Sequence, residues 1–444
     1  MNNTLLEKII LPLGDKLVGG EFIYWLNQFR SLQTQSENSV EQLADEKLAS
    51  LLQFAVQNST YYKEIAQKVG KSADQIRLQD FPILEKVTIR KKTNDLLSRP
   101  TDSLIKNSSS GSTGSQTSVY WSKREQSINR ATQILWWEWA GYKIGDPILQ
   151  TGINPSRTLI KSIKDTIFDT YYLQAFAHTK KEVKEALTWA SKKKKPLLAG
   201  YASSLYVIAV FAEEFGIQAN FKSAISWGDK MFAHYRKKIQ KVFNCEVYET
   251  YASAEGFMIA TQKDLDYLYQ MSTHVKLEIV DDEGNEVEDG QIGHVIVTNL
   301  NAYSMPLIRY RIGDLAIKLP KSQKPKNAAL GFPCLAKVIG RDTDLVKTPS
   351  GKYMVVHSFT GIFEHIPEIK QFYVVQERIE GMIIKYIPNE HFTSEILDKV
   401  KQIILDYLQE DFDIQFEEIS EVPPTPSGKP QIIVSKLKNN IQPS

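Results

Sequence analysis

The 444-residue sequence is poor in cysteine, and its two, Cys245 and Cys334, neither make a disulfide framework nor sit at zinc-knuckle spacing. That excludes a stapled secreted scaffold and sets the expectation of a reducing, cytoplasmic location. Charge of one sign is equally scarce, with 54 Lys and Arg against 52 Asp and Glu, a formal balance of +2. No global field favours nucleic acid or an anionic membrane, so any electrostatic logic is local. Long apolar runs are missing too. The one early candidate, Ile9-Ile10-Leu11-Pro12-Leu13, is too short and interrupted for a signal core or a transmembrane segment. It reads as an amphipathic helix, with surface attachment the alternative. No Gly-x-Ser-x-Gly elbow and no His-Glu-x-x-His occurs, and the seven histidines are scattered without ligand spacing. His178, His234, His274 and His357 each read as structural or surface residues.

What is present is the composition of a soluble globular protein, 42% hydrophobic and 24% charged. The length exceeds what one core supports, so two or three domains are expected. Residues 40–68 place Leu43, Leu48, Leu51, Leu52, Phe54 and Ala55 at helical spacing, making the first ~100 residues mainly helical. The polar segment 107–118 breaks every periodicity and reads as a loop between strands. From 125 to 260 helical patterns alternate with short apolar runs, the rhythm of an α/β sheet. Residues 275–280 and 294–298 read as an antiparallel hairpin with a long acidic loop, the start of a β-rich subdomain. After Gly340 two strand-like stretches precede a helix from Ile396 to Leu408 with Thr393 as its N-cap, a small α+β unit. The fold class is therefore α/β, a large multi-subdomain N-terminal body of mixed sheets flanked by helices, with a small C-terminal domain.

Five segments carry candidate chemistry. Ser108-Ser109-Ser110-Gly111-Ser112-Thr113-Gly114-Ser115 joins glycines that let backbone amides converge to small hydroxyls that donate without crowding, which suits a polyphosphate. It is no Walker A loop, and by composition alone a flexible linker is an equal alternative. Tyr248 to Gly256, YETYASAEG, ends an apolar segment, where an aromatic face can stack a base and Glu255 can hold Mg2+. The plain reading there is a core tyrosine and a surface glutamate. In Arg309 to Leu315, RYRIGDL, Asp314 follows Gly313, where it can bind two ribose hydroxyls or simply end a turn. Ile339 to Asp344, IGRDTD, falls on the domain boundary, and Pro423 to Lys429, PPTPSGK, is a rigid turn projecting Lys429.

Together and in this order the five segments resemble the adenylate-forming superfamily of acyl-CoA synthetases, adenylation domains and luciferases, over essentially the whole chain. The helical start, the short form of Tyr251 to Glu255 and the run Thr348-Pro349-Ser350-Gly351-Lys352 are most similar to the phenylacetate–CoA ligase branch and its CapK-like relatives named for capsular polysaccharide biosynthesis. The resemblance implies an ATP-dependent ligase of acid–thiol type, needing ATP and Mg2+, that turns a carboxylic acid into an acyl-adenylate with release of pyrophosphate. CoA is the expected acyl acceptor and co-substrate, with an amine or a carrier protein as the alternative. By the same resemblance Ser109, Ser110, Gly111, Ser112, Thr113 and Gly114 wrap the phosphates, Tyr251 lies against adenine, Glu255 reaches Mg2+, and Asp314 and Arg341 hold the ribose. Lys429 bridges the carboxylate and the α-phosphate as charge develops. Glu255, Arg341 and Lys429 are the expected catalytic groups. Residues 1–340 would form the ATP- and acyl-binding body and 341–444 a mobile lid. Gly228 and Asp229 match more loosely a place that approaches the adenine and acyl pocket.

Several departures stand out. Ser115 occupies the place where many members carry a phosphate-loop lysine, and the hinge pivot falls on Thr343 with Asp342 and Asp344 beside it. Cys334 is alone where some relatives have a zinc cluster, so no metal beyond Mg2+ is expected. These departures keep a catalytically silent nucleotide-binding scaffold as the rival, while Glu255, Asp314, Arg341 and Lys429 together favour the enzyme. The acyl pocket is expected between about 135 and 256, with Trp136, Trp137, Trp139, Tyr171, Tyr172, Phe176, Tyr201 and Trp227 as candidates, a lining suited to an aryl or mainly apolar acid. Three tryptophans within four residues cannot share one helix face, so at least one belongs to the core or to an interface.

Overall fold

The computed structural model describes residues 3–108, 117–152, 164–175, 179–341, 345–363, 365–422 and 432–437. Helices dominate the first hundred, as the apolar spacing requires. Ser36 caps the helix Glu37–Asn58, its hydroxyl accepting the Ser39 N–H at 3.3 Å, and Val40, Leu51, Leu52 and Ala55 bury one face. Before it, Asn3–Val18 is helical with a π turn at Leu6–Ile10. One side of this segment, Leu6, Ile10 and Leu11, packs on the core. The other is not the polar face an amphipathic helix would show, for Leu5, Ile9, Leu13 and Leu17 all stand in solvent.

Thirteen strands precede residue 342 among the described residues: β1 Ile105–Ser108, β2 Ser118–Trp121, β3 Ile148–Gly152, β4 Thr170–Gln174, β5 Leu197–Tyr201, β6 Ser223–Trp227, β7 Glu246–Ala252, β8 Met258–Thr261, β9 Leu268–Gln270, β10 Val275–Val280, β11 Ile292–Asn299, β12 Tyr310–Lys318 and β13 Cys334–Arg341. The first two form an antiparallel pair and the rest one sheet in the order β10-β11-β12-β13-β9-β8-β7-β6-β5-β3-β4. From β7 to β4 every pairing is parallel. At β7 the sheet turns antiparallel, Thr250 opposite Thr261, with a register irregularity between Tyr251 and Ala252. The hairpin read from alternation is β10–β11, with Val275 opposite Asn299.

The parallel strands are buried on both faces, which is why β5 and β6 read as continuous apolar runs rather than alternating ones. On one face Leu149, Leu198 and Ala224 meet Val183, Leu187, Leu205 and Ile208 of the helices Lys180–Ser191 and Ala202–Phe215. On the other, Ile148, Leu197 and Ile225 meet Ile128, Leu135 and Trp136 of the helix Lys123–Trp139. That helix opens with a capping box, Ser122 and Glu125 each accepting the other's backbone N–H.

The chain divides into two compact units, Met1–Ile312 with Ala316–Val338, and Gly313–Leu315 with Ile339–Ser444. The second has its own core. Its strands β14 Leu345–Lys347 and β15 Tyr353–Val355 pair with each other, and β16 Ile369–Arg378, β17 Gly381–Pro388, β18 Asp413–Glu418 and β19 Ile433–Ser435 form a sheet ordered β18-β17-β16-β19. The helix Glu395–Leu408 lays Val400, Ile404 and Leu408 among Val374, Ile384 and Ile414. Its N-cap is Ser394 rather than Thr393, and Ser394 supplies no side-chain cap; the Thr393 carbonyl instead accepts the Ile396 N–H at 3.1 Å. No helix among the described residues is long and apolar enough to cross a membrane.

Candidate active site

The Glu255 turn is the most fully built of the expected positions. The chain leaves β7 at Ala252, and Ser253 to Phe257 close on themselves, the Ser253 N–H donating to the Phe257 carbonyl at 2.9 Å and the Gly256 N–H to the Ser253 carbonyl at 3.1 Å. Gly256 sits at φ +91°, and a Cβ there would fall 2.7 Å from the Trp121 ring and 3.0 Å from Asn129 Nδ2. Only glycine meets both demands. Glu255 is therefore not the surface glutamate of the plain reading but only 6% exposed, with its Oε1 accepting the Tyr310 hydroxyl at 3.1 Å. Ser253 Oγ, shielded next to it, has no hydrogen-bond partner among the described residues. Among the described residues no three or more His, Cys, Asp or Glu gather into a cluster that could hold a metal. A single carboxylate would fit a Mg2+ that brings nucleotide phosphates and water as its other ligands, rather than a resident protein cage.

The expected phosphate loop is held beside this turn at its base. Ser108 lies opposite Ser118 in the β1–β2 pair, and Asn107 Nδ2 donates to the Ala254 carbonyl at 2.5 Å. Ser109, Ser110, Gly111, Ser112, Thr113 and Gly114 themselves lie outside the described residues, as do Asp342, Thr343, Asp344 and Lys429. Tyr251 is on β7 opposite Ala260, half-buried against the core.

Behind the turn stands a buried polar network that the sequence reading did not find. The Gly256 carbonyl accepts Asn299 Nδ2 at 3.1 Å and lies 3.3 Å from His274 Nε2. His274 Nδ1 is 3.2 Å from Asn301 Nδ2, and Asn301 Oδ1 accepts Lys47 Nζ at 3.0 Å. His274 is fully buried, and burial pushes its pKa down to about 4, so the ring is neutral at pH 7. Burial also pushes Lys47 down to about 8. The expectation of a structural His274 stands. The available signal was Asn299-Leu300-Asn301, two amides at strand spacing at the end of an apolar strand.

In the second unit Asp314 and Arg341 come together, Oδ1 to Nε at 3.1 Å, with the carboxylate 13% and the guanidinium 41% exposed. The neighbouring arginines serve the first unit's structure. Arg309, at φ +52°, pairs with Glu278 at 3.1 Å and donates to the Phe81 carbonyl, and Arg311 pairs with Glu85. Asp229 has a role the looser match did not foresee, since it accepts the backbone N–H groups of Ala202 at 2.5 Å and Ser203 at 3.1 Å and so caps the helix Ala202–Phe215.

The aromatic candidates divide. Trp136, Trp137 and Trp139 are all core, 2%, 6% and 9% exposed, so the expectation of at least one extends to all three, and none of them forms an open lining. Trp139 donates to Gln33 and lies against Phe332, and Tyr171 rests on Trp189. Trp137 stacks on Trp227 at 6.2 Å, at the carboxyl end of β6, where Tyr201 crowds Gly228 and, one strand over, Tyr172 crowds Gly152. Phe176 lies outside the described residues.

Comparison with known proteins agrees with this architecture. Residues 346–436 match the CapK C-terminal domain. Protein CapK of Staphylococcus aureus is 24% identical over 419 residues, 90% of each chain, and phenylacetate-coenzyme A ligase of Pseudomonas putida is 34% identical over 74 residues, 16% of each. Among solved structures, 2-hydroxyisobutyryl-CoA ligase in its postadenylation state with 2-HIB-AMP superposes with a TM-score of 0.70 at 16% identity, covering 91% of each chain. ATP-bound MatB from Rhodopseudomonas palustris gives 0.54 at 17% identity, over 76% of this chain and 68% of that one. The chain thus has the mixed α/β fold of the adenylate-forming ligases and is CapK-like along nine-tenths of its length, ending in a CapK C-terminal domain.

Proposed function

We propose that the protein activates a carboxylic acid with Mg2+·ATP. A carboxylate oxygen attacks the α-phosphorus, the bond to pyrophosphate breaks, and an acyl-adenylate remains. A thiol then attacks the acyl carbon and displaces AMP. The observation that carries this reading is the Glu255 turn, where a shielded carboxylate and the Ser253 hydroxyl, unpartnered among the described residues, share one turn to which the base of the Ser/Thr/Gly loop is hydrogen-bonded through Asn107. Glu255 would hold Mg2+ against the phosphates, Tyr251 would face adenine, and Asp314 with Arg341 would take the ribose. Lys429 would place a cation between the carboxylate and the α-phosphate, where charge develops in the transition state. The second unit would act as the lid that brings Lys429 in.

CoA is the favoured acceptor, supported by the fold shared with 2-hydroxyisobutyryl-CoA ligase, a structure of which holds 2-HIB-AMP and CoA. An amine or a carrier-protein thiol is the alternative. For the acid, Trp227 and Tyr201 at the carboxyl ends of β6 and β5, with Tyr172 against Gly152 at the end of β3, support an aryl or mainly apolar substrate. Incubation with ATP, Mg2+ and a panel of acids, with and without CoA, tests both halves by mass spectrometry. Acyl-adenylate without CoA and acyl-CoA with it are the expected products. Adenylate that persists in the presence of CoA would move the acceptor to an amine or carrier, and ATP left intact with every acid would refute the reading.

A further inference from the structure

Gly256 is a weak point in the geometry of the Glu255 turn. Its positive φ and missing side chain leave the peptide behind Glu255 free to rotate unless something holds the carbonyl. Two buried donors do. The direction of every hydrogen bond behind them follows from one group, Lys47, which can only donate. Its Nζ bonds Asn301 Oδ1, so the Asn301 amide nitrogen faces His274 Nδ1 and donates to it. Nδ1 is then the acceptor, which puts the ring proton on Nε2, aimed at the Gly256 carbonyl 3.3 Å away. Asn299 adds the second donor, while its own oxygen accepts the Asn301 N–H at 3.0 Å. Every hydrogen bond in this chain of donors and acceptors runs in one consistent direction, and a buried network of that kind fixes one geometry. On the opposite side the Tyr310 hydroxyl holds the carboxylate itself.

We infer that His274, supported by Asn301 and Lys47 and joined by Asn299, is a positioning residue that locks the Gly256 carbonyl and thereby aims Glu255 at the metal of Mg2+·ATP. The inference rests on the adenylation reading of Glu255. It gives the N-terminal helix Glu37–Asn58, which supplies Lys47, a part in metal use although it contributes no group to the reaction. Groups that orient a metal-binding residue commonly matter to metal affinity about 10- to 100-fold, although they never touch the ion.

The test compares His274→Leu, which removes the donor, with His274→Gln, whose amide nitrogen can replace Nε2. In His274→Leu the Mg2+ concentration for half-maximal pyrophosphate exchange should rise about tenfold while the acid's KM stays within about twofold, and His274→Gln should recover most of the loss. A second readout needs no turnover. Backbone amides of residues 253–258 in the nucleotide-free protein, followed by hydrogen exchange and mass spectrometry, should exchange about tenfold faster in His274→Leu and near the wild-type rate in His274→Gln. Lys47→Met, at the far end of the network, should shift both in the same direction by a smaller factor, and it decides the matter if His274→Leu does not fold. A folded His274→Leu with wild-type Mg2+ dependence and wild-type amide exchange would overturn the inference. Wild-type protein without acid-dependent exchange would instead overturn the adenylation reading, and the hydrogen-exchange arm would still decide whether His274 holds the turn.

Discussion

Asp314 and His274 illustrate two kinds of residue, one proposed to meet a ligand and one proposed to act from within the fold. Removing the Asp314 carboxylate should leave the second unit folded and weaken ATP binding by roughly 1–3 kcal/mol, the usual worth of charge-assisted hydrogen bonds to two hydroxyls. Calorimetry of Asp314→Ala reads this directly, and unchanged affinity would detach the residue from the ribose. His274 instead makes stability depend on pH. Its folded pKa of about 4 lies below the ordinary 6.5, so the unfolded chain binds a proton that the native state refuses. The contribution is complete above about pH 6.5 and is lost as pH falls toward 4, at up to about 1.4 kcal/mol per pH unit. Urea unfolding at pH 7.5 and 5.0 should therefore show a larger acid loss for wild type than for His274→Gln. Glu255, Asp314 and Arg341 could be singled out in the sequence because reactive side chains in a fixed order leave a pattern, and Asp314 and Arg341 do pair in the structure. His274 and Lys47 could not, since what makes them act together is three-dimensional: residues 47, 274 and 301 meet only once the helix Glu37–Asn58 packs on the sheet.

At the scale of elements, local rules predicted what local forces decide. The β10–β11 hairpin follows from period-two apolar residues around an acidic turn, and the parallel strands follow from short apolar runs between helical patterns. Where a long-range partner intervened, the local reading missed. The helix Ala202–Phe215 has no capping side chain at Tyr201, its own N-cap position, and Asp229 supplies the oxygens from 27 residues downstream. Asp229→Ala should accordingly cost about 1 kcal/mol of stability, as loss of a helix cap does, with Asp229→Asn milder because one acceptor oxygen remains. Thermal melting measures it, and an unshifted midpoint in the alanine variant would leave the cap without energetic weight. The tryptophans Trp136, Trp137 and Trp139 were ambiguous for the same reason. A helix wedged between an N-terminal helical layer and a sheet buries more than one face, and periodicity cannot show that.

At the scale of the whole molecule, the order of five short segments carried the family resemblance, although no one of them was decisive alone. Chain length and the change of pattern near 340 carried the two-part organisation. If the second unit is a lid, limited proteolysis should cut the segment 339–344 readily in the absence of ligands and be suppressed by ATP with a substrate acid, because ligands that bridge two units order the hinge between them. Equal cutting under both conditions would argue for a fixed arrangement. The central claim, that this chain makes acyl-adenylates with Glu255 and Lys429 in its machinery, is tested most directly by acid-dependent ATP–pyrophosphate exchange, measured side by side for wild type and Lys429→Ala at equal thermal stability. The account predicts exchange with an aryl or apolar acid in the wild type and its loss by orders of magnitude in Lys429→Ala. No exchange with any acid, or full exchange in Lys429→Ala, would contradict it.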